Sequence, residues 1–412
     1  MALSFAVLKI RDFRLLLSGR ICALMAMQAQ AIIVGWQIYS LTNDPLMLGL
    51  VGLTEALPAI ACALFAGHIV DNSKPYKIYL LCIGFLVINV FIVYLFAGGI
   101  ISVPDSTKIK IIFAGVFFSG IVRSFVMPAS FSLFPQIVPR DKFPAASAWM
   151  SSGFQFSAII GPTIAGLVYG GYGVKIAWIL PLILITITFI LLLAIGNHPK
   201  TYKNSNKREA TVKSIHAGIK FIFHNKIILS IMTLDMFAVL FGGAVSILPA
   251  FAAEVLHLGS EGLGLLRAAP ALGAIITALI LALKPMKNIK GSLLFFAVSA
   301  FGLCMLGFAL STSFIMAMFF LALSGVFDSI SMIIRATLMQ VLTPENMRGR
   351  VSSVNSMFII SSNEIGAFES GVAARLMGIV PSIIFGGAMT LVVVGAIAYV
   401  FPNLWKEKVK VD

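Results

Sequence analysis

The sequence predicts an all-α membrane protein with twelve transmembrane helices in two six-helix, pseudo-symmetric bundles. The composition, the length of the apolar runs and the position of the polar breaks lead to this fold class. Of 412 residues, 59% are hydrophobic and only 11% are charged. A soluble domain of this length needs about 25% charged residues to cover its surface. A chain this apolar therefore belongs where its outer face meets lipid.

The apolar runs indicate helices and not the strands of a membrane barrel. Lipid offers no hydrogen bonds, so a spanning segment is either a helix or part of a closed barrel. Barrel strands alternate apolar and polar residues over about ten positions, whereas the runs here stay apolar for roughly twenty, enough to cross the ~30 Å hydrocarbon core as helices. The predicted spans are 14–41, 46–70, 77–98, 109–136, 145–170, 175–195, 227–253, 260–283, 291–311, 313–340, 351–376 and 380–401.

The longest polar stretch separates the spans into two sets of six. It begins with a basic segment and continues into the amphipathic piece SIHAGIKFIFHNK, which we expect to lie along the membrane surface. We therefore predict an N-terminal six-helix bundle over 1–196, a cytoplasmic linker with an amphipathic helix over 197–226, and a C-terminal six-helix bundle over 227–412.

The distribution of basic residues gives the orientation. With both termini on one side, that side carries 22 of the 30 lysines and arginines, and the opposite loops carry three. The positive-inside rule then places both termini and the linker in the cytoplasm. We expect the membrane to be a bacterial inner membrane. The net charge of +14 is spread over short loops that face anionic lipid, so it does not indicate nucleic-acid binding.

The sequence shows no pattern typical of an enzyme or a metal protein. Its four cysteines have no CxxC spacing, its five histidines are scattered, and no phosphate-binding GxxxxGK[ST] segment is present. We expect no enzymatic activity, no cofactor and no metal.

Two motifs, one after the second span and one within the fifth, mark places where helices approach each other. The loop after the second span reads GHIVDNSKPYK, in which Gly67 permits close approach, Asp71 caps or pairs at a helix end, and Lys77 belongs to a basic cluster. The fifth span contains GPTIAG, in which Pro162 breaks a backbone hydrogen bond and Gly161 and Gly166 allow a neighbouring helix to pack closely. Generic tight packing is the alternative interpretation of the second motif.

These motifs resemble the loop 2–3 signature and the helix 5 exporter motif of the major facilitator superfamily. Ser73 and Lys74 replace the Gly-Arg that usually follows the aspartate of the first motif. Longer stretches are similar to the enterobactin-exporter and macrolide-efflux-like branch, in this order along the chain: FRLLLSGR with GWQIYSLTNDPLMLGLVGL, then GIVRSFVMPASFSLFPQIVPRDKFPAASAW, then LMQVLTPENMRGRVSSVNSM. The resemblance assigns Arg348 and Arg350 of the last stretch to the conformational latch, with Gly67, Asp71 and Lys77.

The resemblance implies a secondary active transporter that works by alternating access and needs no cofactor. It implies proton-coupled export of a small amphipathic molecule, either a siderophore or a drug-like compound. A monomer in the lipid bilayer is expected, with protons and the small-molecule substrate as its partners. An importer or lipid flippase on the same fold and a non-transporting membrane sensor are the alternatives.

Ionisable residues inside the predicted spans are candidates for proton coupling or ion pairing, because a charge at bilayer depth is costly unless it is paired or wetted. Desolvation favours a protonated carboxyl and a nearby arginine favours the charged form, so a change in exposure can switch such a group. Among the acids we rank Asp235, Glu369 and Asp328 above the remaining two, and structural ion pairing is the alternative role for each. The full set is Asp235, Asp328, Glu369, Glu55, Glu364, Arg123, Arg335 and Arg20.

Geometry along ideal helices adds two expectations. Asp328 and Arg335 share a face but lie roughly 10 Å apart along the axis, so neighbours on spans 4, 7 or 11 are better partners for them. In span 11 a small and polar stripe includes Asn355 and Ser362, and Glu364 points about 120° away from it. The candidates for lining a substrate cavity are Gln28, Gln30, Asn355 and Ser362.

Overall fold

The computed structural model describes residues 5–71, 73–195, 211–283, 288–344 and 347–410. The first half is a series of long helices joined by short loops: α1 Arg11–Thr42, α2 Pro45–Asp71, α3 Pro75–Ala97, α4 Asp105–Ile137, α5 Phe143–Ala177 and α6 Ile179–Leu193. Short 3-10 turns precede α1 and α5, at Phe5–Lys9 and Arg140–Lys142. Each of the first six predicted spans coincides with one of these helices.

The second half begins with the amphipathic helix α7 Thr211–His224 and continues with α8 Lys226–Phe241, α9 Leu248–Ala250 and a π-helical turn Phe251–Val255. The remaining helices are α10 Ser260–Leu283, α11 Gly291–Ala309, α12 Phe314–Leu342, α13 Arg348–Met377, α14 Ile379–Val400 and α15 Pro402–Lys406. The strands β1 Asn288–Lys290 and β2 Lys408–Lys410 pair in antiparallel register, with Ile289 opposite Val409.

The all-α membrane fold is confirmed. Within the described residues, nine helices are long and apolar enough to cross a bilayer, and the bent pair α7–α8 would make ten. α6 is apolar but has only 15 residues, and α13 carries the polar residues that the sequence placed in span 11. The total of twelve spans stays a prediction.

The prediction of one continuous seventh span is wrong. Helix α8 ends at Phe241, and turns separate it from α9. The break begins at Gly242, whose missing side chain leaves room for the Ala238 carbonyl and the Phe301 ring. Gly243 packs directly against Gly366 of α13, and the Ser246 hydroxyl lies 3.3 Å from the Ala367 carbonyl. The chain leaves the helix here because two backbones meet at this point.

By packing, the chain divides into two compact units. One consists of Met1–Asn43, Thr54–Lys207 and Leu258–Ala268, and the other of Asp44–Leu53, Arg208–His257 and Ala269–Asp412. The start of α2 thus packs with the second unit and the start of α10 with the first. Apart from these two helix starts, the first unit is formed by the N-terminal half of the chain and the second by the C-terminal half. The predicted bundle limits at 196 and 227 stay a prediction.

A buried amide organises the core of the first unit. The Gln37 side chain of α1 donates from Nε2 to the Ala97 carbonyl at the end of α3, at 2.7 Å. Its Oε1 accepts from the indole Nε1 of Trp178, at 2.9 Å, and Trp178 is fully buried between α5 and α6. One polar side chain therefore fixes the ends of three helices where no water is available.

We predict that Gln37→Leu destabilises the protein by about 1–3 kcal/mol, because it leaves the buried Trp178 indole N–H without its acceptor. Thermal unfolding of the purified protein in detergent measures this loss. The half-buried Gln30 of the same helix is the matched control, and Gln30→Leu should change stability by less. Equal losses in the two variants would contradict the assigned role of Gln37.

Candidate functional site

The second unit holds a buried ion pair between α8 and α12. Asn225 caps α8 by accepting from the backbone N–H of Ile227 and Ile228, both at 3.2 Å. Asp235 follows nine residues into α8, about 14 Å along its axis. Its carboxylate pairs with the Arg335 guanidinium, and the two side chains are only 10% and 12% exposed. Span 7 was among the predicted sources of a partner for Arg335.

This pair places both charges where solvent is scarce. Arg335 Nε is buried and has no hydrogen-bond partner among the described residues. A buried pair is stable only as a pair, because removing one partner leaves an uncompensated charge in a low-dielectric environment. A change in the charge of Asp235 would therefore alter the attraction between α8 and α12.

Asp328, on the same helix as Arg335, is exposed and does not pair with it. One turn earlier, Gly325 packs against the backbone of Pro270 in α10, which brings α12 and α10 into direct contact. Since an ionisable group in a membrane helix faces protein or a water-filled space, we expect Asp328 to face such a space.

The first unit has a second intramembrane ion pair, between Glu55 of α2 and Arg123 of α4. Gly120, one turn before Arg123, lies against the Glu55 backbone carbonyl, so the two helices cross closely here. The side chains are 45% exposed for Arg123 and 27% for Glu55, far more than in the Asp235–Arg335 pair. Glu55 ranked low among the candidates, and the structure gives it the arginine partner that the sequence did not assign.

Arg20 of α1 is bonded to a neutral partner. Its Nη1 donates to the Ser130 hydroxyl of α4 at 3.2 Å, and its buried Nε has no hydrogen-bond partner among the described residues. The cluster around it includes the buried residues Tyr79 and Ala129. Arg20 therefore ties α1 to α4 and brings a positive charge into the core of the first unit.

Helix α13 packs through one face against α8. Gly366 contacts the Leu240 backbone and Gly243, and Ser362 is buried with its hydroxyl donating to the Ile359 carbonyl at 3.1 Å. Asn355 is half-buried, as is Glu369. The predicted stripe thus serves close helix packing at Gly366, next to the break that follows α8.

A second face of α13 packs against the start of α2. Gly371 meets Gly49 backbone to backbone, and the Glu364 carboxylate lies against Gly52. At the end of this face, Arg375 Nη1 lies 3.1 Å from the Asp44 carboxylate. Glu364, Gly371 and Arg375 are spaced by seven and four residues, which places them on one side of a helix. Glu364 therefore makes a contact away from the stripe, as its angular offset predicted.

The GPTIAG motif of α5 makes a comparable crossing with the start of α10. Gly166 and Gly264 meet with their Cα atoms in contact, and the Ser260 hydroxyl donates to the Gly166 carbonyl at 3.1 Å. The Pro162 carbonyl also lies against Gly264. Gly161 faces another neighbour, the Met25–Gln28 turn of α1, so Gln28 lies at the α1–α5 crossing. The motif packs two helices, one on each side of α5.

The residues assigned to the latch are only partly described. The side chains of Asp71 and Arg348, and the surroundings of Gly67, lie outside the described part of the chain. Lys77 is exposed near the start of α3, and Arg350 is half-buried beneath α7, with its carbonyl against Gly218. The latch stays a prediction.

Sequence reasoning missed the glycine partners and one acid. Gly264 and Gly371 belong to no motif that the sequence singled out, and the stretch that contains Asp44 and Gly49 was singled out only for its resemblance to the subfamily. The available signal was the spacing of glycines at three or four residues, as in Gly49 and Gly52, which is typical of close helix crossings in membranes.

The model of the Major Facilitator Superfamily matches residues 16–367 of this sequence. The chain belongs to the Major Facilitator Superfamily. Two similar curated proteins are enterobactin exporters EntS. The one from Citrobacter koseri is 26% identical over 386 residues, covering 93% of this chain and 90% of the relative. The one from Escherichia coli O1:K1 is 26% identical over 392 residues, covering 92% and 89%.

Solved transporter structures share the fold. A bacterial homologue of the iron transporter ferroportin, in an inward-facing state, superimposes with a TM-score of 0.71 at 16% identity, covering 98% of this chain and all of that one. A POT family transporter gives 0.75 at 12% identity, covering 96% and 97%. At these identities the similarity establishes the fold, and with the family it identifies a multi-pass membrane transporter and not an enzyme.

We predict that substitutions of Asp235 and Arg335 change the free energy of unfolding in a strongly non-additive way. Asp235→Leu or Arg335→Met alone should cost about 3–5 kcal/mol, because each leaves one buried charge, whereas the double variant should be close to wild type in stability. Unfolding in detergent measures all four proteins. Losses that simply add in the double variant would show that the two charges do not interact.

We also predict that Gly166→Ala destabilises the α5–α10 crossing. A Cβ there would lie 2.3 Å from the Ser260 carbonyl oxygen and 2.9 Å from Gly264 Cα, and overpacking of this kind costs about 1–3 kcal/mol. Gly171→Ala on the same helix is the control, since a Cβ at Gly171 meets nothing within 4 Å. The unfolding temperature should fall for the first variant only, and an equal fall in both would argue against the crossing.

Proposed function

We propose that this transporter exports a small amphipathic molecule, with a siderophore as the first candidate and a drug-like compound as the second. The support is the family membership together with the similarity to enterobactin exporters, which extends over nine-tenths of the chain. The bacterial inner membrane, with both termini in the cytoplasm, is the location we propose, on the basis of the lysine and arginine distribution.

The observation that carries the proposed mechanism is the buried pair of Asp235 and Arg335. Protonation of the Asp235 carboxylate would abolish its attraction to Arg335 and leave the guanidinium to find another partner or water. Since the two residues join α8 to α12, the proton would loosen one helix contact in the second unit. The pair therefore supports coupling of transport to the proton gradient.

Four other acids are secondary candidates for the same role. Asp328 and Glu369 are the next candidates; Asp328 is exposed on α12 and Glu369 is half-buried on α13. Glu55 pairs with Arg123, and Glu364 lies at the α2–α13 crossing.

Alternating access between residues 1–196 and 227–412 requires some helix contacts to open and close. The α2–α13 crossing at Gly49 and Gly371 and the α5–α10 crossing at Gly166 and Gly264 are suited to this, since backbone contacts without interlocking side chains slide at low cost. Opening the first crossing would also separate Asp44 from Arg375. For the substrate we retain Gln28, Gln30 and Asn355 as contacts, with a monomer as the working unit.

We predict that a strain lacking this transporter retains the exported molecule. The measurement is metabolite profiling of the deletion strain, iron-starved and iron-replete, comparing cell-retained with secreted small molecules. Under starvation a siderophore should accumulate in the cells and be depleted from the medium. Complementation with the wild-type chain is the control.

The other outcomes separate the alternatives. Normal secretion with impaired uptake of a supplied siderophore would reverse the direction of transport. No change in siderophore, with retention of another amphiphile or an altered lipid distribution, would favour drug efflux or a flippase. A changed transcriptional response without any retained molecule would favour a non-transporting sensor.

Proton coupling is tested in proteoliposomes with an imposed pH gradient. Asp235→Asn should abolish gradient-driven transport while substrate exchange without a gradient persists, because the amide cannot take up a proton. Asp105→Asn is the matched control, since Asp105 forms an exposed pair with Lys108 at the start of α4. Gradient-driven transport that survives Asp235→Asn would exclude Asp235, and Asp328→Asn and Glu369→Gln test the next candidates in the same way.

A further inference from the structure

The corner between α7 and α8 has the geometry of an element that lies on a membrane surface. The axis turns by 102° between Gly218–His224 and Lys226–Phe241. Because α8 begins the seventh predicted span, such a turn lays α7 roughly parallel to the bilayer plane. Gly218 and Ile222 fix it to the second unit, since both are buried and Gly218 packs on the Arg350 carbonyl and Val354.

Four of the described positions of α7 form two exposed stripes. Ile219 and Phe223, four residues apart, leave 38% and 61% of their surfaces uncovered. Lys220 and His224, also four residues apart, form the second stripe and are exposed, as is Lys226 at the corner. An apolar stripe beside a basic one is the pattern of an interfacial helix, whose apolar side enters the acyl region.

The corner also holds an open cavity of about 450 Å³, lined by Phe221, His224, Asn225, Lys226, Ile227 and Asn403. The Asn225 side-chain oxygen Oδ1 accepts from the backbone N–H groups at the start of α8, which leaves the side-chain NH₂ group to donate. Lys226 supplies a positive charge. The chain has no acidic residue between Glu209 and Asp235, so nothing on this segment opposes an anion.

We propose that the α7–α8 corner binds an anionic phospholipid, with the phosphate between Lys226, His224 and Lys220 and the acyl chains against Ile219 and Phe223. The charge selects an acidic headgroup, and the exposed apolar stripe requires a partner with hydrocarbon. A soluble anion satisfies only the first condition. The inference is independent of which molecule is transported and in which direction.

The first experiment titrates the full-length protein in detergent with phosphatidylglycerol or phosphatidylcholine and follows its unfolding temperature. Phosphatidylglycerol should stabilise the wild type and phosphatidylcholine should not. In the Lys220→Gln/Lys226→Gln variant the phosphatidylglycerol concentration for half-maximal stabilisation should rise about tenfold, since each basic residue near an anionic lipid contributes severalfold in affinity. The control is Lys110→Gln/Lys175→Gln, which removes the same charge from exposed positions outside this corner.

Two results would overturn the proposal. One is an equal response to phosphatidylglycerol in the two double variants, which would place the lipid elsewhere. The other is equal stabilisation by inorganic phosphate, which would reduce the site to one for a soluble ion.

A second experiment does not depend on the lysine variants. Phe223→Trp in nanodiscs with brominated acyl chains should lose more fluorescence than the wild type does, because the new indole would lie among the chains. Asp141→Trp, at an exposed position of the turn between α4 and α5, is the control and should gain no extra quenching. Quenching of Phe223→Trp no greater than that of this control would place α7 away from lipid and refute the proposal.

Discussion

The hydrocarbon core supplies no hydrogen bonds and poorly solvates charge, and this constraint determines how the polar residues of the chain are used. Two intramembrane acids in the described part of the chain are paired with arginines, whereas Arg20 donates to the neutral Ser130 hydroxyl. Asp235 has Arg335, and Glu55 has Arg123. Each pair joins two helices, so the contact that neutralises the charge also positions the helices relative to each other. Gln37 does the same with neutral groups, by joining α1, α3 and Trp178.

Glycines make the second contribution to helix association. Lipid is as apolar as leucine, so helices in a membrane associate through close packing and not through the hydrophobic effect. At Gly49–Gly371 and at Gly166–Gly264 the backbones touch, which maximises dispersion contacts without interlocking side chains. Movement at such crossings is part of the mechanism that we propose. The α2–α13 crossing is closed further by the Asp44–Arg375 pair, whereas the α5–α10 crossing is closed by the Ser260 hydroxyl.

Ion pairs and glycine crossings come together around α13 and the break that follows α8. Gly366 packs against Gly243 within the break, and the Ser246 hydroxyl donates to the Ala367 carbonyl there. On another face of α13, Glu364 lies against the start of α2. Helix α13, which the sequence marked as polar, therefore contacts α8 and α2 through two different faces. Its small residues Gly366 and Gly371 serve this helix packing.

The sequence by itself determined the lipid environment, the all-α class and the family. Composition and run length suffice for these, because lipid allows spanning helices of nearly fixed length, and the helix 5 motif and long subfamily stretches identify the superfamily. Tertiary structure alone decided which charges pair, as Asp235 and Arg335 are 100 residues apart and no spacing rule connects them. It also decided that span 7 breaks at Gly242, since the break depends on Gly366 approaching from α13. The hydropathy of a segment depends only on its own residues. Ion pairs and helix breaks depend on which helix packs alongside, and that is decided by the tertiary fold.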